Sequence, residues 1–183
     1  MMPRALFLFL MLLPSAASAG GGGTLTDFLI EGMPPSHRRE ARTLATCILA
    51  EAGASRIDHH AILHVLQRRA AQLTARSGRE ISTADMAQRY CRIFRDPPQH
   101  RVFLLTFRWG EKPTKAQYAH AWRQAQLSVA LFMLGVDMDP CDGKAMHWGS
   151  HADAKKPPKR SVPVFCGPTR NLFWSGPQRS TAI

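Results

Sequence analysis

The sequence predicts a mainly α domain (α+β) that ends in a small C-terminal β-hairpin, and three observations carry that expectation. Apolar residues recur at helical spacing in four stretches between residues 36 and 135. Helix breakers punctuate those stretches, at Pro34-Pro35, Ser77-Gly78, Pro97-Pro98 and Gly135. Beyond Pro140 the texture changes to two short β-prone runs, Ala145–Trp148 and Val162–Phe165, flanking a Lys/Pro loop from Lys155 to Arg160.

Taken in order, the chain opens with Arg4, the apolar run Ala5 to Leu13, Pro14 and the small-residue site Ala17-Ser18-Ala19. That is the pattern of a secretory signal peptide, residues 1–19, cleaved after Ala19. The apolar run is too short to span a bilayer, and no later segment is long and apolar enough to do so, so the mature chain is expected to lack an integral membrane span. Removing residues 1–19 from 183 leaves 164, enough for one domain with a proper core. Residues 20–35, beginning with Gly20 to Gly23, read as a flexible lead-in.

Ser36 is placed to cap a first helix running to about Ala52. Ser55-Arg-Ile-Asp58 has capping-box spacing and opens a second, through about Leu73, with Ile57, Ala61, Ile62, Val65 and Leu66 inward. Ser82-Thr-Ala-Asp85 repeats the spacing and starts a third, with Met86, Tyr90, Cys91 and Phe94 inward, that runs to Pro97-Pro98. Residues 99–113 form a connection. Thr114 then caps the longest helix, which ends at Gly135 and buries Tyr118, Trp122, Val129 and Phe132 or Met133. The main domain therefore spans 36–174, and 175–183 reads as a disordered tail.

Four cysteines, at 47, 91, 141 and 166, suggest two disulfides in an exported chain, which implies a secreted or periplasmic location. Three pairings are open; Cys47–Cys91 and Cys141–Cys166 are favoured, the first tying two helices and the second closing a loop around a His-Trp segment. No C-x-x-C spacing is present, which argues against a zinc ribbon or a thioredoxin-like site. The formal charge is +11, or +10 without Arg4, and draws the protein toward polyanions. Outside the cytoplasm a bacterial wall is the foremost of these, although a solvated basic surface with no specific partner has the same composition. No stacking motif or recognition helix points to specific nucleic acid.

Glu51 is the most informative residue. In Ala41-Arg-Thr-Leu-Ala-Thr-Cys-Ile-Leu-Ala-Glu-Ala-Gly53 the apolar face is Ala41, Leu44, Cys47 and Ile48, and the next position on that stripe is the carboxylate. It also falls in the last turn, where the helix dipole disfavours negative charge. Both effects suit a general acid. The bland alternative is a rim glutamate that bends out to solvent.

The stretches Ala41-Arg-Thr-Leu-x-x-x-Ile-Leu-Ala-Glu-Ala-Gly53, Ala61-Ile-Leu-His-Val-Leu-Gln-Arg-Arg69, Phe107-x-Trp109 and Ala145-Met-His-Trp148 resemble the cell wall hydrolases of the spore-cortex-lytic type, of the lysozyme-like lytic transglycosylase superfamily. The resemblance covers roughly residues 40 to 150. It implies a lysozyme-like catalytic domain that cleaves the glycan strand of peptidoglycan, with Glu51 as catalytic acid and Phe107, Trp109, His147 and Trp148 lining the sugar groove. It implies no cofactor. Two departures stand out: Ala54-Ser55 replace the second acidic residue usual after the glutamate, and Arg68-Arg69 replace an Asn-Arg pair.

Glycoside cleavage by two carboxylates needs a partner about 5–9.5 Å from the acid, and no acid is placed there by spacing. Asp137, Asp139, Asp142 and Asp153 sit on a distant loop. By the resemblance, a lytic transglycosylase avoids the second group: the muramic acid C6 hydroxyl attacks, and one glutamate serves as acid and base. Among the other aromatics, mid-helix Trp122 reads as core, whereas Trp109, Trp148 and Trp174 lie where rings stack on sugars or rim a cleft. Asn171 either hydrogen-bonds a substrate amide or makes an Asx-turn. Two other functions compete. One is a non-catalytic basic wall-binding protein, expected, like the enzyme, to be a monomer. The other is a zinc-dependent wall peptidase built on His147, His151 and Asp153 in H-x3-H-x-D spacing, although no H-E-x-x-H is present and His59-His60 point in two directions on a helix.

Overall fold

A computed structural model describes residues 30–95, 113–150 and 157–176. The expected signal peptide, Phe107, Trp109, His151, Asp153 and the residues after 176 lie outside the described residues. Among the described residues five helices and three strands follow in chain order: α1 Pro35–Ala52, α2 Arg56–Ser77, α3 Thr83–Tyr90, α4 Arg92–Arg95, α5 Lys115–Met133, β1 Ala145–Gly149, β2 Pro163–Val164 and β3 Leu172–Ser175. The protein is thus mainly helical with one small antiparallel sheet.

The core is where α1, α2 and α5 meet. Leu44 and Ile48 of α1, Ile62, Leu63, Val65 and Leu66 of α2, Met86 of α3 and Val129 of α5 are almost wholly withdrawn from solvent. Their spacing is the helical period read from sequence. On α5 the buried face is Ala121, Ala125, Ser128, Val129 and Ala130. Small residues there let α5 lie close to α1 and α2. Tyr118 is therefore not core: it is 40 % exposed, one turn outside the contact. Trp122 is partly buried against the core, as expected of it. Among the described residues the longest helix is α2, at 22 residues, rather than α5 at 19.

The caps divide the expectations. Ser82 and Asp85 make a reciprocal capping box on α3, and Thr114 and Gln117 another on α5. Helix α1 instead starts with Pro34 at the cap and proline at its first turn, so Ser36 lies inside the helix. Ser55 and Asp58 form no capping box. Ser55 Oγ donates to Asp58 Oδ2, and the fully buried Asp58 also accepts backbone N–H groups from Arg170 (2.9 Å) and Asn171 (2.8 Å). A desolvated carboxylate is stable only with such donors, and they come from the far end of the chain. The lead-in also packs at its end, because Ile30 is buried.

The expected third helix is two. Cys91 is extended (φ −74°, ψ 130°), separating α3 from α4. The break turns the Arg92 N–H out of the helical ladder and toward Glu51.

The sheet order is β1-β3-β2, so the expected β1–β2 hairpin is replaced by two strands that each pair with β3. The sheet reaches Ser175, the first residue of the expected 175–183 tail. Trp174 is buried in this central strand rather than placed on a sugar-facing rim. Pro163, which lacks an N–H, sits on the edge strand, where it breaks no inner ladder. Cys47 pairs with Cys91 and Cys141 with Cys166, the two favoured pairings. Disulfides of this kind belong to chains that fold outside the reducing cytoplasm. Among the described residues no helix is long and apolar enough to cross a membrane.

Candidate functional site

The end of α1 is fixed from several directions, and Glu51 is the side chain that this fixing presents. Gly53 closes the helix at φ 60°, ψ −118°, a backbone shape that favours glycine, and its N–H bonds Leu49 O at 2.8 Å. The last carbonyls of a helix have no partner inside it. Here Asn171 Nδ2 donates to Glu51 O (3.2 Å) and His59 Nε2 to Gly53 O (2.8 Å). Because a carbonyl only accepts, His59 carries its proton on Nε2, and Nδ1 accepts from Ser128 Oγ at 3.2 Å. Burial lowers the His59 pKa to about 4, against the opposing pull of the Gly53 hydrogen bond, so the ring is neutral at pH 7. His59 and His60 point in two directions, as expected, and His59 is the one that enters the core. Its neighbour His60 reaches the loop after α5, where Asp137 Oδ2 lies 3.0 Å from both His60 Nδ1 and His64 Nε2.

The half-buried Glu51 carboxylate is held at both oxygens. Oε1 accepts the Arg92 N–H at 2.8 Å and Oε2 accepts Trp148 Nε1–H at 3.2 Å. Two features bring these donors together. The Cys47–Cys91 disulfide anchors the chain one turn before Glu51 to the residue just before Arg92. Consecutive arginines of α2 fasten β1: Arg68 Nε donates to Ala145 O (2.7 Å) and Arg69 Nε to Met146 O (2.6 Å). The Arg69 guanidinium also stacks 4.1 Å over the Tyr90 ring and lies 5.9 Å from the Trp148 ring. Burial pulls its pKa down from the usual arginine range, against the Tyr90 contribution.

Around Glu51 opens a cleft of about 450 Å³. Tyr90 and Trp148 give it aromatic surface, Ser150 and Asn171 polar groups, and Arg69, Arg92 and Arg95 a cationic side. Among the described residues that line it, Glu51 is the one acid. Of the other acids named from the sequence, Asp153 lies outside the described residues, and Asp137, Asp139 and Asp142 do not line the cleft. Asp139 binds Arg68 and the N–H groups of Cys141 and Gly143; burial pushes its carboxyl up, but these donors outweigh it and hold the carboxyl below its usual range. Asp142 is an exposed turn residue.

Of the sequence-predicted residues, Glu51, Trp148 and Asn171 line the cleft together. Asn171 uses its amide on the Glu51 carbonyl and its N–H on Asp58, in place of an Asx-turn. His147 does not line the cleft. Its Nδ1 accepts from the Arg69 guanidinium, and burial, then the Arg69 charge, lower its pKa. Phe107 and Trp109 fall outside the described residues. Among those described, no three His, Cys, Asp or Glu side chains are placed to hold a metal ion. Sequence reasoning missed Arg69, Tyr90, Arg92, Arg95 and Ser150. The signal for three of them was present, since a Cys47–Cys91 bond brings the neighbours of Cys91 to the turn that carries Glu51. No protein-family model, no curated protein and no solved structure matches the chain.

Proposed function

We propose that this protein is an exported enzyme that cuts the glycan strands of peptidoglycan, with a lysozyme-like helical domain and Glu51 as its acid and base. One observation carries the reading: a half-buried carboxylate, oriented by two N–H donors, stands in an aromatic-walled cleft whose described lining holds no second acid. Aromatic faces with a few convergent polar groups are what a sugar-binding cleft requires. A lone carboxylate fits the single-glutamate route better than a two-carboxylate one.

In that route Glu51 gives its proton to the glycosidic oxygen as the C1–O bond breaks. The C6 hydroxyl of the same muramic residue then bonds to C1 and returns its proton to Glu51, leaving a 1,6-anhydro end and a carboxylic acid ready for the next turnover. Trp148 and the Arg92 N–H keep the carboxylate aimed, and no cofactor takes part. The site of action would be the periplasm or the cell exterior, on the organism's own wall or another's, by a monomer.

The test is clearance of purified walls by wild type and Glu51→Gln, both checked for folding by circular dichroism. Loss of clearance in the variant supports the enzyme. Equal clearance removes Glu51 from the chemistry, and binding without clearance by wild type favours the non-catalytic wall-binding reading.

A further inference from the structure

The cleft holds one charge that the fold leaves without a counter-charge. Arg69 lines it from α2, half-buried, and contacts from β1 and α3 set the position of its guanidinium. Its Nε donates to Met146 O at 2.6 Å and its Nη2 to His147 Nδ1. The guanidinium carbon lies 4.1 Å over the Tyr90 ring and 5.9 Å from the Trp148 ring. All of these partners are uncharged: a carbonyl, an imidazole whose Nδ1 accepts and so carries no proton, and two aromatic rings. Among the described residues no carboxylate pairs with Arg69. Glu51, in the same cleft, is engaged by the Arg92 N–H and by Trp148. Burial accordingly pulls the Arg69 pKa down, with Tyr90 opposing it.

Fastening β1 uses two of the five N–H groups of the guanidinium and none of its charge. A charge withdrawn from water without an opposite partner is costly, and an anion entering the cleft removes that cost. The hydroxyls of a neutral sugar chain do not. A carboxylate does, because its two oxygens match the arginine fork. We propose that Arg69 binds a carboxylate carried on the side group of the sugar chain, and that this contact selects the strands that Glu51 cuts. Trp148 joins the two groups, with Nε1 on Glu51 and its ring beside Arg69, which places the acidic sugar close to the bond to be broken. The inference rests on the glycan-cleaving reading of Glu51 and adds substrate recognition to it. Two side-group carboxylates answer the description, the free acids of a peptide and the lactyl acid left when the peptide is removed.

The experiment is calorimetric binding of muramic acid oligosaccharides to Glu51→Gln protein, which keeps Arg69 and is not expected to cut the probe. The probes form two pairs: chains with a bare lactyl acid and their lactyl amides, and chains with peptides bearing free acids and their fully amidated counterparts. In at least one pair the free acid should bind about tenfold more tightly than the amide, the size of a charge-assisted hydrogen bond. A preference confined to the first pair assigns the lactyl acid, one confined to the second the peptide acid, and one in both a subsite that takes either. Adding Arg69→Gln should bring the ratio to about one. Arg69→Lys, which keeps the charge and loses the fork, should reduce the ratio without abolishing it, and serves where the Gln variant does not fold. Arg79→Gln, which removes an exposed charge outside the cleft, should leave it unchanged. An arginine that only fastens β1 would, on removal, weaken acid and amide alike. That result, or equal affinities before Arg69 is changed, overturns the subsite. Wall clearance by wild type reads the glycan-cleaving reading separately: clearance without an acid preference leaves that reading standing, and neither binding nor clearance overturns both.

Discussion

At the residue scale the central relation is between Glu51 and its two donors. A general acid–base group contributes about 10²–10⁴-fold to a rate, so Glu51→Gln should lower kcat by that factor without unfolding the protein. Trp148→Phe keeps the ring and removes the N–H. It should cost roughly tenfold in kcat, with little change in wall binding, because hydrogen bonds to charged groups contribute about 1.5–3 kcal/mol. A loss of binding with kcat intact would show that the ring, not the N–H, is what matters. His59 gives a pH prediction. The unfolded chain takes up this proton near 6.5, the folded protein only near 4, so between those values the unfolded state holds the extra proton. Stability is therefore complete above about pH 6.5 and falls by up to about 3 kcal/mol as the pH drops toward 4. Denaturant midpoints should show this slope in wild type and not in His59→Gln; identical slopes would contradict it. The position of Glu51 was legible from the apolar stripe and Gly53. Of its donors, Arg92 follows from the Cys47–Cys91 pairing, whereas the Trp148 bond does not, because β1 lies far along the sequence and nothing local sets its register over α1.

At the scale of elements, two identical-looking signals end differently. Ser55…Asp58 and Ser82…Asp85 have the same spacing, yet only the second is a capping box. Asp85 is exposed and serves its own helix. Asp58 is buried and satisfies the turn before β3. Local spacing does not encode burial, so the difference was invisible until the chain folded. Asp58→Ala should leave two backbone N–H groups without acceptors and destabilise the protein by about 3 kcal/mol. It should also lower activity, since Asn171 then loses its hold on the end of α1; a thermal midpoint within a degree of wild type would reject that role. The split of the third helix at Cys91 has a similar origin. Sequence periodicity ran straight through it, and a long-range disulfide together with the Arg92–Glu51 bond decided otherwise. Replacing both Cys47 and Cys91 by serine should cost about 2–4 kcal/mol. Activity should fall further than in the matching Cys141/Cys166 pair, because only the first bond lies behind Glu51.

For the whole molecule, the helical core was readable because apolar spacing reports one buried face at a time. The sheet was not. Leu172 to Ser175 is four residues, too short for a pattern, and became the central strand only because β1 and β2 both found it. The consequence is a β1 that is tied to α2 by Arg68 and Arg69 and brings Trp148 over the end of α1. Fold and cleft are therefore one construction: the core positions α1, the disulfide brings α4 to it, and the sheet closes the third side.

The measurement that bears most directly on this account is mass spectrometry of peptidoglycan digested by wild type and by Glu51→Gln. With Glu51 the one acid among the described residues lining the cleft, the account predicts 1,6-anhydro-muramic ends from wild type and none from the variant. Reducing ends would contradict the single-glutamate route and require a second carboxylate or a held water. Intact glycan, with or without cut peptides, would contradict the assignment of Glu51 altogether.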